Sequence, residues 1–140
     1  GVAREDIEAL IGPVRNGYAA GTTENKLASP GLMPKHYAPS TPLVVVDNLD
    51  CYATRPDVGI ILFRRSARTF AGPVEHLSQD GDLREAAANL YHALRALDGM
   101  GLNLIVAERV PPGGLGTAIN DRLTKAAAAT SARRAQMPHH

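Results

Sequence analysis

Two uninterrupted apolar runs, Leu43-Val44-Val45-Val46 and Val58-Gly59-Ile60-Ile61-Leu62-Phe63, restrict the fold of this chain more than any other feature. Neither alternates apolar with polar residues, so neither offers a face to water. Such strands belong to sheets covered on both sides. Leu102-Asn103-Leu104-Ile105-Val106-Ala107 is a further strand candidate, and a weaker one runs from about Pro73 to Leu77. Between these two the three-four spacing of Leu83, Ala86, Ala87, Leu90, Leu94 and Leu97 predicts a helix over 82–98. Asp82 with Glu85 fits a capping-box variant, and Gly99 stands where a left-handed C-terminal cap is expected. A last helix is predicted from about Leu115 to Ala129, with Leu115, Ala118, Ile119, Leu123, Ala126 and Ala127 inward. Buried strands alternating with amphipathic helices imply an α/β fold, a small three-layer Rossmann-like domain with a mostly parallel sheet of about four strands. Strand order is not legible. The connection from Leu49 to Asp57 is shorter than the dozen or so residues of a crossover helix. Either a single helical turn bridges it or the first two strands are not a parallel pair.

The 140 residues suffice for one domain, and an apolar fraction of 44% suffices for one core. A net charge of +1 disfavours nucleic-acid binding by the whole domain while leaving room for a local basic patch. With Cys51 alone, no internal disulfide can form, which suits a reducing cytoplasm, the expected location. No apolar run approaches the roughly 18 residues of a membrane-spanning helix. His76 and His92 lie apart, His92 on an expected surface. No His/Cys/Asp group has metal-ligand spacing, so no metal site is expected.

Upstream of the strands the composition changes. Residues 4–11 read as a short helix stopped by Gly12-Pro13, so 1–11 looks like the end of a preceding domain. Residues 12–42 have scattered apolar side chains and frequent Pro, Gly, Thr, Asn and Ser, the pattern of an extended Pro/Gly-rich interdomain linker or functional lid. The globular region then covers 43–130 and the tail 131–140. Gly1 in place of Met, and His139-His140 as a tag remnant, point to an excised segment. Within the linker, Pro30-Gly31 fits the centre of a type II turn, and Pro34 and Pro39 bias the residues before them toward extended backbone. The outcome is a stiff arm presenting an ammonium, an imidazole and a phenol from Lys35, His36 and Tyr37, which needs a surface to lie on. The arm either gates a ligand site or anchors through Tyr37.

Two other stretches could carry chemistry. Gly113, Gly114 and Gly116 follow a strand and open a helix, where free amides and the helix dipole can hold a phosphate, with Arg122 as a bidentate partner. The spacing matches neither the P-loop nor the dinucleotide fingerprint. A Pro-Gly turn with glycines for close packing is the favoured alternative, and a structural ion pair, with Glu108 or near Asp121, is favoured for Arg122. Arg64, Arg65 and Arg68 follow the second strand, where they could meet a phosphate or RNA backbone; a solvated basic loop or a domain-docking patch is the favoured alternative.

The stretch Ser29-Pro30-Gly31-Leu32-Met33-Pro34-Lys35-His36-Tyr37-Ala38-Pro39 resembles the interdomain linker of two-domain L-threonylcarbamoyladenylate synthases, Ser-Pro-Gly followed by His-Tyr-Ala-Pro. "AAANLYHALRALDGMGLNLIVAE" and "GLGTAINDRLTKAAA" resemble the accessory C-terminal domain of that family, and "REDIEALIG" the end of its catalytic, YrdC-like domain. The resemblance covers about residues 29–128. It implies that Ser29, Pro30, Gly31, Lys35, His36, Tyr37, Ala38 and Pro39 form a linker over a catalytic cleft in a domain absent from this chain. That domain would convert threonine, bicarbonate and ATP, with Mg, to threonylcarbamoyl-AMP and pyrophosphate for tRNA modification. The chain alone would then bind no cofactor and catalyse nothing, and any tRNA contact would be weak. The rival readings are a stand-alone nucleotide-binding domain using the Gly113–Gly116 turn, and a docking module for a partner domain or tRNA.

Overall fold

A computed structural model describes residues 33, 34 and 36–135. The expected type II turn and residues Ser29, Pro30, Gly31 and Lys35 lie outside them, as do the expected upstream helix and the last five residues. The described residues belong to a compact unit that begins at Leu32.

Four strands, β1 (Leu43–Val46), β2 (Val58–Leu62), β3 (Val74–His76) and β4 (Leu104–Glu108), form one sheet in the order β1-β4-β2-β3, and every neighbouring pair is parallel. Two helices complete the fold, α1 (Leu83–Asp98) and α2 (Leu115–Ala135). β1 and β2 are not neighbours, because β4 is inserted between them. The short connection carries no packed helix, only a single 3-10 turn, Asp50–Tyr52.

The period-two alternation of a strand sorts the apolar residues onto two faces. Leu43, Ile61, Phe63, Ile105 and Ala107 join the α1 residues Ala86, Ala87, Leu90, Leu94 and Leu97 and the α2 residues Ile119, Leu123 and Ala126 in one core. Val58, Ile60, Leu62 and Val106 face the other way, onto Leu49, Tyr52 and Phe70. Both helices thus cover one face. The third layer consists of the 3-10 turn and the loops around it.

Local signals set the helix ends. The Asp82 carboxylate accepts from the amides of Arg84 and Glu85 at the N-terminus of α1. The reciprocal half of the box is indirect: the Asp82 amide donates to the Ser78 hydroxyl, which in turn donates to Glu85. Gly99 is not the left-handed cap expected from the sequence. It keeps right-handed backbone at φ −82°, and the positive φ of 70° falls two residues on, at Gly101. Leu115, the first residue of α2, is exposed rather than inward. α2 also continues past Ala129 to Ala135, held there by tertiary bonds.

Candidate functional site

The segment before β1 lies on its own domain. Met33 is buried in the helix-side core and Tyr37 packs against it. The Tyr37 amide donates to the Pro34 carbonyl at 3.1 Å, closing a turn that leaves His36 exposed. The Tyr37 ring meets Tyr91 of α1 edge to face, with centroids 5.1 Å apart and planes at 88°. Arg95 lies over the Tyr91 ring, 5.6 Å from its centroid. The next residues are fastened by charge. The Asp98 carboxylate, at the end of α1, accepts from the amides of Ser40 at 3.1 Å and Thr41 at 2.8 Å. Arg133, near the end of α2, donates to the Pro39 carbonyl. Thr130 completes the seam: its buried hydroxyl oxygen accepts from the Leu43 amide at 3.1 Å, while the hydroxyl faces the Ala127 carbonyl at 2.9 Å.

Two side-chain acidities are shifted at this seam. Burial raises the Tyr37 phenol, helped by the Asp98 charge and by Tyr91 and opposed by Arg95. Burial pushes the Asp98 carboxyl up, but the Thr41 and Ser40 amides and the Arg133 charge outweigh it and hold it below the ordinary value.

The sequence expectations for this arm divide. Tyr37 packs against Tyr91, Pro39 is buried, Ala38 is half-buried, and His36 is exposed. Asp98, Thr130 and Arg133, which fasten the arm, were not among the expected site residues. Each stands near the end of a helix, and only the fold brings them to a segment 57 to 94 residues away in sequence.

The Pro-Gly turn is a packing device. A Cβ on Gly116 would stand 1.8 Å from the Pro111 carbonyl oxygen, so only glycine admits this approach of loop to helix. The Gly116 amide donates to Gly113 O at 2.9 Å and the Gly113 amide to Thr117 Oγ1 at 2.8 Å, so both are spent internally. Asn120 pairs with both the amide and the carbonyl of Val110 at 2.9 Å, pinning the loop to α2. The ion pair favoured for Arg122 does not form with either expected partner. Asp121 instead pairs with Lys125 one turn on, and Glu108 accepts from the Phe63 amide at 2.9 Å.

The three arginines after β2 separate. Arg68 pairs with Asp50 and stacks over Phe70. Arg64 and Arg65 instead line a cleft of about 610 Å³ at the carboxyl ends of β1, β2 and β4, with Asp47, Phe63, Ser66, Glu108, Arg109, Val110, Pro111 and Pro112. Among the described residues no group of His, Cys, Asp and Glu could hold a metal ion, and no helix is long and apolar enough to cross a membrane.

The family described as threonylcarbamoyl-AMP synthase, C-terminal domain, matches residues 2–128. The chain belongs to this family. It is 32% identical over 137 residues to a threonylcarbamoyl-AMP synthase of Bacillus subtilis, covering 91% of this chain and 40% of that protein. It is 33% identical over 135 residues to a threonylcarbamoyl-AMP synthase of Pyrococcus abyssi, covering 90% and 40%. The crystal structure of P. abyssi Sua5 complexed with L-threonine aligns with a TM-score of 0.51 at 29% identity, over 90% of this chain and 40% of that one. The chain thus spans about 40% of the length of the relatives it matches.

Proposed function

We propose that this chain supplies the accessory domain and the gating arm of a threonylcarbamoyl-AMP synthase. The reaction joins threonine, bicarbonate and ATP, with Mg, into threonylcarbamoyl-AMP and pyrophosphate for tRNA modification. On this reading a YrdC-like catalytic domain performs the chemistry in the cytoplasm, and this chain alone binds no cofactor. The observation that carries the reading is the division of the arm. Met33 is buried in the core and the stretch from Tyr37 to Thr41 is fastened to α1 and α2, while His36 between them is left exposed. A strap seated on both sides of an exposed turn can present that turn to a neighbouring cleft, where it excludes water and orients reactants. In this reading Ser29, Pro30, Gly31 and Lys35 act with His36 in the gate.

The test uses a two-domain protein that carries these residues. His36→Ala should lower threonine- and bicarbonate-dependent pyrophosphate release by at least about tenfold, the scale of one lost polar contact to a charged group. The melting temperature should stay within a degree or so, since an exposed side chain contributes little to stability. The 140-residue chain alone should show no turnover. Unchanged release in His36→Ala, or turnover by this chain without another domain, refutes the reading. The rival phosphate site at Gly113, Gly114 and Gly116 loses support because two of the three amides are already bonded.

A further inference from the structure

The cleft at the carboxyl ends of the strands brings together two stretches that are separate in sequence, Arg64-Arg65 after β2 and Pro111-Pro112 after β4. Its position is where open α/β sheets accept ligands, beyond the ends of parallel strands. Its volume of about 610 Å³ lies in the range of small-molecule sites. The charges in it are mixed and unevenly used. Asp47 and Arg109 satisfy each other at 3.0 Å. One Glu108 oxygen is held by the Phe63 amide, which fixes the carboxylate at the cleft wall, and its second oxygen has no partner among the described residues. Among the described residues neither Arg64 nor Arg65 pairs with a carboxylate, and Arg65 makes only a long side-chain bond of 3.3 Å to Gln79.

This combination selects a ligand class. A bare anion would meet the two guanidinium groups but also the carboxylates of Asp47 and Glu108. A neutral polyol would suit the carboxylates and leave the guanidinium groups without a use. We propose that the cleft binds a phosphate monoester on a hydroxylated carbon frame, a sugar phosphate or a nucleoside monophosphate. Arg64 and Arg65 hold the phosphate as charge-assisted donors. Glu108 and the free oxygen of Asp47 accept from the hydroxyls. The Pro111-Pro112 edge supplies an apolar wall. The site is independent of the arm and of the gating role.

Calorimetric titration of the 140-residue chain tests it with four probes: inorganic phosphate, ribose 5-phosphate, adenosine and AMP. Ribose 5-phosphate or AMP should bind at least about tenfold tighter than phosphate or adenosine, because only they satisfy both sets of groups. Preference between the two identifies which frame the cleft takes. The double variant Arg64→Ala/Arg65→Ala, exposed and outside the core, should keep the melting temperature and weaken binding at least about tenfold. Glu108→Gln should weaken the monoester while sparing phosphate. Absence of heat with all four probes at millimolar concentration overturns the proposal. So does binding that the double variant leaves unchanged, or binding of tRNA through Arg64 and Arg65 with none of the small monoesters.

Discussion

Replacing Asp98 by alanine removes the acceptor of two arm amides at once. The Ser40 amide is exposed and turns to water, so its loss is nearly neutral. The Thr41 amide belongs to a residue only 7% exposed and finds no replacement. A hydrogen bond to a charged group contributes about 1.5–3 kcal/mol, and a stranded buried donor costs about 1–3 kcal/mol. The expected loss is therefore about 2 kcal/mol. For a domain of this size each kcal/mol shifts the melting temperature by about 4–8 °C, which places the fall at roughly 8–16 °C. Asp98→Asn keeps one acceptor oxygen and should lose about half as much. The pH dependence has a definite sign. Because the folded carboxyl is lowered, its stabilisation is complete above the ordinary carboxylate value near 4 and fades as pH falls through the lower folded value. Thermal melts of wild type and both variants from pH 7 to pH 2, with hydrogen exchange at the Thr41 amide, measure each part. Equal melting temperatures at pH 7, or an unprotected Thr41 amide in the wild type, would refute the fastening.

Two further outcomes follow from the geometry. Gly116→Ala should destabilise by about 3 kcal/mol or more or fail to fold, since its Cβ would overlap the Pro111 carbonyl at 1.8 Å, whereas Gly113→Ala, at φ 110° with open space around it, should cost only about 1–3 kcal/mol of backbone strain. Urea unfolding of both variants separates them, and equal losses would contradict the packing role. Asp57 is held down to about 2 by the Arg55 guanidinium, with Asn103 assisting. Arg55→Ala should raise it toward the ordinary carboxylate range in a carboxyl NMR titration, and an unmoved value would show the pair to be absent in solution.

Most of the frame was readable because it is local. The Leu43–Val46 run is β1 residue for residue, and the spacing from Leu83 to Leu97 marks the buried stripe of α1. What escaped depends on contacts distant in the chain. The end of α2 carries Thr130 and Ser131, weak helix formers, and is stabilised by Thr130 on Leu43 and Arg133 on Pro39. The order β1-β4-β2-β3 could not be read because nothing in Leu49–Asp57 states which strand intervenes. Gly99 and Gly101 offered two sites for one left-handed residue, and backbone bonding to Arg95 and Leu97 keeps the first right-handed. Among the candidate residues, the arginines and the prolines were visible as types, but their meeting in one cleft is a property of the folded sheet.

The proposed gate requires the arm to be seated on α1 by its own tyrosine. Nuclear Overhauser contacts between the Tyr37 and Tyr91 rings in the 140-residue chain at pH 7 test this directly. Cross-peaks consistent with centroids 5.1 Å apart, together with ring shifts away from random-coil values, are the predicted result. Random-coil shifts for Tyr37 and no cross-peak to Tyr91 would contradict it.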